Sequence, residues 1–303
     1  MVINKSKLPS NCAVVAIGGG HGLGQVLKSL SYLDSNLSAI VATSDNGGSS
    51  GKLRQINNNI AWGDIRNCLS QLTAEDSLTN ELLEFRFKGS TGLGGHSIGN
   101  LLLNALEHLG KEPLEALELL RSMLGIKANI YPMSEQPTDL VAVTEQKTTI
   151  FGEVSIDASS SEINDLSLTP CVEAVAPAID AISKADLIII APGSFYTSIL
   201  PSLLIKQYQT AINNSKAKLI FIENITQENS IASHLTCEHK LNWIETKLNI
   251  RPFDLVIQHG DQLIFNDNRL TYPFKCKDSS SMHCEKSLAD AISSCYSPLL
   301  SIA

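Results

Sequence analysis

The β-branched run Val14-Val15-Ala16-Ile17 ends in Gly18-Gly19-Gly20-His21-Gly22-Leu23-Gly24, which holds five glycines in seven residues. The run reads as a buried parallel strand. Glycine adopts positive φ and lets a ligand approach bare backbone. A glycine-rich exit from a strand, followed by a helical stretch from 25 to 30, therefore predicts an anion cradle built from N–H groups and a helix start. The competing reading is a tight strand–helix junction without a ligand. Spacing narrows the choice of anion. Counting G-x-G-x-x-G from Gly18 puts Leu23 at the third glycine, and counting from Gly20 puts Gln25 there. No Lys-Ser or Lys-Thr pair follows. The loop thus matches neither the dinucleotide fingerprint nor the Walker pattern.

Strand-like stretches at 39–43, 186–191, 218–222 and 255–257 alternate with helical ones at 63–72, 78–87, 97–109, 112–124, 174–184, 235–248 and 285–293. This alternation predicts an α/β fold, Rossmann-like, with three αβα layers and a mostly parallel sheet. The 303 residues, 43% of them hydrophobic, suffice for one domain over 1–303. Stretches at 140–143 and 150–156 predict a small β-rich insert around 127–172, with a polar surface loop at 157–165.

A net charge of −8 argues against nucleic-acid and anionic-membrane partners. No segment approaches the roughly 18 apolar residues of a membrane helix. The polar residues 1–10 do not read as a signal peptide. Seven scattered cysteines without a C-x-x-C fit reduced thiols in a cytoplasm.

Polar-glycine clusters follow the predicted strands, where open α/β sheets bind ligands. Ser44-Asp45-Asn46-Gly47-Gly48-Ser49-Ser50-Gly51 puts an acid where it would meet a ribose hydroxyl or a metal; as a plain turn it would be an Asx turn with a serine cap. In Gly63-Asp64-Ile65-Arg66-Asn67, Asp64 suits a helix cap. Arg66 opposes the helix dipole unless it faces an anion. Gly94-Gly95-His96-Ser97-Ile98-Gly99-Asn100 offers His96 as acid, base or phosphate ligand, or as a structural hydrogen-bonder. Pro192-Gly193-Ser194-Phe195-Tyr196-Thr197-Ser198 concentrates hydroxyls at a helix start. It is not a G-x-S-x-G elbow. Asn224-Ile225-Thr226-Gln227 offers amides that would read a base or sugar edge.

Together these ordered motifs resemble the gluconeogenesis-factor family, the YvcK-like proteins, and their relatives with the 2-phospho-L-lactate transferase (CofD) fold. The match rests on Gly18-Gly19-Gly20-x-Gly22, Asp45-x-Gly47-Gly48-Ser49-x-Gly51, Gly63-Asp64-x-Arg66-Asn67, Gly95-His96-Ser97-x-Gly99-Asn100, Pro192-Gly193-Ser194-x-Tyr196-Thr197-Ser198 and Asn224-x-Thr226-Gln227. The resemblance implies a cytoplasmic protein that binds UDP-sugars and supports cell-wall synthesis and cell shape during gluconeogenic growth. His21 stands where much of the family has Thr, and Asn46 where many members have a second Asp; both resemble a proteobacterial branch. Met282-His283-Cys284 stands where the family often has Arg-His-Asp.

Two functions follow from the resemblance. As a nucleotide-sugar-binding protein, the chain would hold a diphosphate on residues 19–22 and on Ser194, Thr197 and Ser198. Asp45 and Asn46 would meet sugar or ribose hydroxyls, and Asn224 and Gln227 would read the base. As a transferase using a nucleotide-activated phospho-substrate, it would use Asp45 to hold Mg²⁺, with Arg66 or His96 neutralising developing charge. A nicotinamide-dependent reductase fits the glycine count but not the spacing. The expected partners are a nucleotide-sugar or other nucleoside diphosphate and a second copy of the chain in a homodimer.

Overall fold

The computed structural model describes residues 7–74, 77–89, 92–274 and 283–300. The chain opens with β1 (Val14–Gly18), whose five residues are all buried. It continues into α1 (Gly20–Ser29), then β2 (Leu37–Val41) and α2 (Gly48–Asn57). Helix α1 starts five residues earlier than the sequence pattern predicts, within the glycine run itself. Four helices follow: α3 (Gly63–Leu72), α4 (Leu78–Glu84), α5 (Ile98–His108) and α6 (Pro113–Met123). The Ser97 hydroxyl accepts the Asn100 N–H and caps α5, as its place before an apolar run predicts. Pro113 occupies the first turn of α6, where its missing N–H costs nothing.

Strand β3 (Asn129–Pro132) precedes an excursion of β4 (Asp139–Thr144), β5 (Thr149–Phe151), α7 (Glu153–Asp157) and β6 (Ile163–Thr169). A second βα series then runs through α8 (Ala176–Lys184), β7 (Leu187–Ile190), α9 (Leu200–Leu203), α10 (Lys206–Asn214), β8 (Lys218–Ile222) and α11 (Cys237–Lys247). It ends with β9 (Leu255–His259), β10 (Ile264–Asn266), β11 (Arg269–Tyr272) and α12 (Glu285–Leu300).

Among the described residues, eight strands form one sheet in the order β10-β11-β9-β8-β7-β1-β2-β3. All neighbours are parallel except the β10–β11 hairpin. β1 lies between β2 and β7, so successive strands step outward in opposite directions from it. That reversal opens a crevice beyond the strand ends, the place where such sheets bind ligands. Strand alternation gives the sheet two cores. Val14 and Ala16 pack with Leu23 and Leu27 of α1, Ile65 and Leu69 of α3, and Leu288 of α12. Val15 and Ile17 pack on the other face with Ile182, Leu203, Tyr208 and Ile244. The run is apolar on both sides because both sides are covered.

The excursion forms a separate antiparallel sheet, β5-β4-β6, over 139–169. β3 belongs to the main sheet, so the small sheet is shorter than the sequence pattern implies. The stretch predicted as a surface loop over 157–165 contains the end of α7 and the start of β6. Leu140, Ile156 and Leu166 tie this unit to the second core. Among the described residues, no helix is long and apolar enough to cross a membrane.

Candidate functional site

The turns leaving β1 and β7 meet at the centre of the crevice. A Cβ on Gly22 would come 1.9 Å from the Pro192 carbonyl oxygen, and one on Gly19 would touch the Ser198 Cβ at 3.4 Å. Gly20 has φ +60°, a conformation that favours glycine. These three positions explain why the run must be glycine: Gly19 and Gly22 for close approach, Gly20 for backbone conformation. The turn after β8 joins them, because the Asn224 side-chain amide donates to the Gly193 carbonyl at 2.8 Å.

The loop's amides do not face open solvent. The Asp64 carboxylate, at the start of α3, accepts the Gly20 N–H, and burial plus the nearby Asp45 push its pKa up to about 7. A Cβ on Gly19 would come 2.5 Å from an Asp64 carboxylate oxygen. Asp45 folds into an Asx turn, accepting the Gly47 N–H at 2.6 Å. Its pKa is raised by burial. Helix α7 adds Glu153 and Asp157, four residues apart and therefore on one face. Burial, with Asp45, Asp64 and Asp157 adding to it, drives Glu153 up to about 9. The hydroxyls predicted to hold an anion face these acids: the Thr197 hydroxyl lies 3.2 Å from both Asp157 oxygens and 2.9 Å from the Ser194 hydroxyl. The protein's own carboxylates thus occupy the place the sequence pattern assigns to a diphosphate.

The remaining predicted residues fall into three groups. Ser49, His96 and Asn100 form a buried chain: the Asn100 amide donates to the Ser49 hydroxyl at 3.1 Å, and that hydroxyl lies 3.0 Å from His96 Nδ1. Burial lowers the His96 pKa, and the bond to Ser49 ties Nδ1 to one tautomer, with the ring proton on Nε2 when the Ser49 hydroxyl donates. Asn67 is buried on α3, while Gly47 and Gly48 form the turn into α2. His21 stands in the first turn of α1, its pKa lowered by partial desolvation of the ring and by Arg66.

Other predicted contacts are taken up by the fold itself. Arg66 pairs with Glu84 of α4 and lays its stem against Gly99, so it is not a free cation facing the cleft. Tyr196 is 3% exposed and packs edge-on against Phe195 and Trp243, with ring centroids 5.1 and 6.4 Å away; it is a core residue. The Asn46 side-chain oxygen accepts the Val154 N–H at 3.1 Å and so caps the start of α7. The Gln227 amide donates to the Ser233 carbonyl. Residues 193–199 coil as a π-type turn from Phe195 to Ile199, which turns Ser194 and Thr197 together toward α7.

A family model for 2-phospho-L-lactate transferase CofD matches residues 14–290. The chain belongs to the CofD family. Within this family it is 46% identical over 253 residues to a putative gluconeogenesis factor of Vibrio cholerae, covering 83% of this chain and 86% of that protein. It is 47% identical over 245 residues to one of Yersinia pestis, covering 80% of each. The CofD-family fold is shared with a crystal structure of a UPF0052 family member from Bacillus halodurans. That structure is 29% identical, with a TM-score of 0.85, covering 92% of this chain and 98% of that one.

Sequence reading of this CofD-family chain missed several residues of the cleft. Arg54 is one: its guanidinium donates to the Ser44 and Asp45 carbonyls at 3.2 and 3.1 Å and pairs with Asp139 at 3.0 Å. It fixes the Asp45 turn against the small sheet. Glu228 is another, accepting the Phe195 N–H at 3.1 Å and pairing with Lys240 at 2.7 Å. Glu153 and Asp157 were legible only as acids at helical spacing beside Gly152.

The acids bear on Mg²⁺. Among the described residues, no three His, Cys, Asp or Glu side chains converge as a metal cage. Asp45 and Asp64 are nevertheless hard oxygen donors that repel one another in a partly buried setting. That fits the usual pattern for Mg²⁺, which takes one or two carboxylates and completes its shell with phosphate oxygens and water.

Proposed function

We propose that this CofD-family protein is a nucleotide-sugar-binding protein of the gluconeogenesis-factor type. It takes the diphosphate of a UDP-sugar into the crevice between the β1 and β7 turns. The observation that carries this reading is the contact of Gly22 with Pro192, which makes one site of the glycine loop and the hydroxyl-rich turn. The N–H groups of residues 19–22 and the Ser194, Thr197 and Ser198 hydroxyls would meet the phosphates once the Gly20 N–H is released from Asp64 and the Ser194 and Thr197 hydroxyls from Asp157. Mg²⁺, held by Asp45 and Asp64, would supply the positive charge that lets a diphosphate enter among carboxylates. In the cell this reading makes the protein a cytoplasmic support for cell-wall synthesis and cell shape during gluconeogenic growth.

Thermal-shift titration with UDP-N-acetylglucosamine, UDP-glucose, GDP and NAD, with and without Mg²⁺, tests it. Stabilisation by UDP-sugars that depends on Mg²⁺ supports the reading. Stabilisation by NAD alone contradicts it.

A second reading, transfer of a phosphorus-containing group from a nucleotide-activated substrate, is favoured by the raised pKa of Glu153 and Asp64. An acid poised near or above neutrality can carry a proton to a leaving group. Asp45 stays beside this site, whereas His96 is bonded to Ser49 and Arg66 is already paired with Glu84. Product formation from UDP-sugars or nucleoside diphosphates, followed by phosphorus NMR, separates the two readings.

A further inference from the structure

A cavity of about 220 Å³ opens beside the glycine loop, between the turns that leave β1, β7 and β8. Gly22 and Gln25 of α1, Ser194, Asn224, Thr226 and His283 line it. Two of these side chains are more than nine-tenths buried, Gln25 and His283 at 4% exposure each. Each presents a polar atom with no hydrogen-bond partner among the described residues, Gln25 Oε1 and His283 Nε2. Leaving such atoms unsatisfied carries a desolvation cost, and native folds rarely tolerate it without a ligand or water to answer it. Gln25 keeps its orientation because its amide nitrogen donates to Gln71 Oε1 at 3.3 Å, which leaves the acceptor turned the other way. His283 is held edge-on against Phe274, ring centroids 4.6 Å apart.

The chemistry of this lining selects its occupant. Gln25 Oε1 demands a donor, which the fully ionised diphosphate diester of a nucleotide sugar does not offer. Burial pushes the His283 pKa down to about 4, so the ring is neutral and supplies no charge for an anion. Among the described residues, no Lys or Arg lines the cavity, and no Phe, Tyr or Trp offers a stacking face for a nucleobase. A hydroxyl donates and accepts, and so satisfies Gln25 and either tautomer of His283. Thr226 and Ser194 add hydroxyls of their own.

We propose that this cavity seats the sugar ring of the nucleotide sugar, with ring hydroxyls bonded to Gln25 Oε1 and His283 Nε2. The inference rests on the nucleotide-sugar reading above and assigns its sugar end to one side of the glycine loop. Asp45 and Asn46 are thereby relieved of that role.

Calorimetric titration of UDP and of UDP-N-acetylglucosamine, both with Mg²⁺, tests it on the wild-type protein and on Gln25→Leu, His283→Phe and His283→Gln. Gln25→Leu removes an unsatisfied acceptor and His283→Phe keeps an aromatic edge against Phe274, so both should melt near the wild type. Losing one neutral hydrogen bond predicts about a five- to tenfold loss of UDP-N-acetylglucosamine affinity in each. UDP affinity should stay within about twofold, and His283→Gln, which retains a donor and an acceptor, should keep most of the sugar affinity. Equal losses for UDP and the UDP-sugar, or no loss for either, would overturn the sugar assignment while leaving the nucleotide reading intact. Failure of the wild type to bind either ligand would overturn the nucleotide reading and the inference with it.

Discussion

Gly22 lies so close to Pro192 that no side chain can stand between them: a Cβ at 22 would sit 1.9 Å from the Pro192 carbonyl oxygen. Through this contact the turn after β1 and the turn after β7 become one structural unit at the point where the strand order reverses. Gly22→Ala should force the two turns apart. We expect a loss of about 3 kcal/mol in unfolding free energy, as for a severe overpacking. Urea denaturation measures it, and a wild-type midpoint would show that the turns are free to separate.

Asp64 ought to destabilise the free protein near neutrality. Its pKa is raised from 3.8 to about 7, so the folded state binds more protons than the unfolded chain across that interval. The Asp64 contribution to stability therefore falls as pH rises from about 4 to about 7 and levels off above. Asp64→Asn keeps an oxygen for the Gly20 N–H and removes the charge. At pH 8 it should be more stable than the wild type by at least about 1 kcal/mol, with the difference vanishing near pH 4. Melting curves across this range provide the check. An Asp64→Asn protein less stable than wild type at pH 8 would contradict the carboxylate crowding.

The Lys240–Glu228 pair is 8% and 6% exposed, and Glu228 also holds the Phe195 N–H that starts the hydroxyl-rich turn. Removing one partner leaves a buried charge, a loss of about 3 kcal/mol for Lys240→Met. The double variant Lys240→Met with Glu228→Gln should recover most of it, because a neutral amide still accepts from Phe195. Equal melting temperatures for the single and double variants would assign the cost to lost packing instead.

Ser49 links Asn100 to His96. Ser49→Ala strands both a buried amide and a ring nitrogen, at a cost of about 1–2 kcal/mol. The His96 ring should also lose its fixed tautomer, which nitrogen-15 chemical shifts of the imidazole report. Unchanged shifts would show that Ser49 does not set the tautomer.

The central fold was legible because β1, β2, β7 and β8 are continuous apolar runs, buried on both faces, with glycine or polar turns at their ends. Elements that bury little left no comparable pattern. β6 buries only Ile163 and Leu166, three residues apart, which is not a strand's alternation. All three residues of β10 are exposed, and α10 buries only Tyr208 and Ile212. The ordered glycine motifs brought the right turns together. What they did not reveal is which groups the fold uses on itself: Asp64 on the Gly20 amide, Asn46 on α7, Arg66 on Glu84, Tyr196 in an aromatic cluster. Those pairings depend on contacts between segments distant in sequence. Met282 of the departing C-terminal motif lies outside the described residues.

The most direct test of the shared crevice is an amide NMR titration with UDP-N-acetylglucosamine in the presence of Mg²⁺. Saturable shifts should concentrate on residues 19–22, 45–49 and 193–198, and should be lost when Mg²⁺ is removed. Saturable shifts confined to β10 and β11 at the far edge of the sheet, with the glycine loop unmoved, would contradict the account.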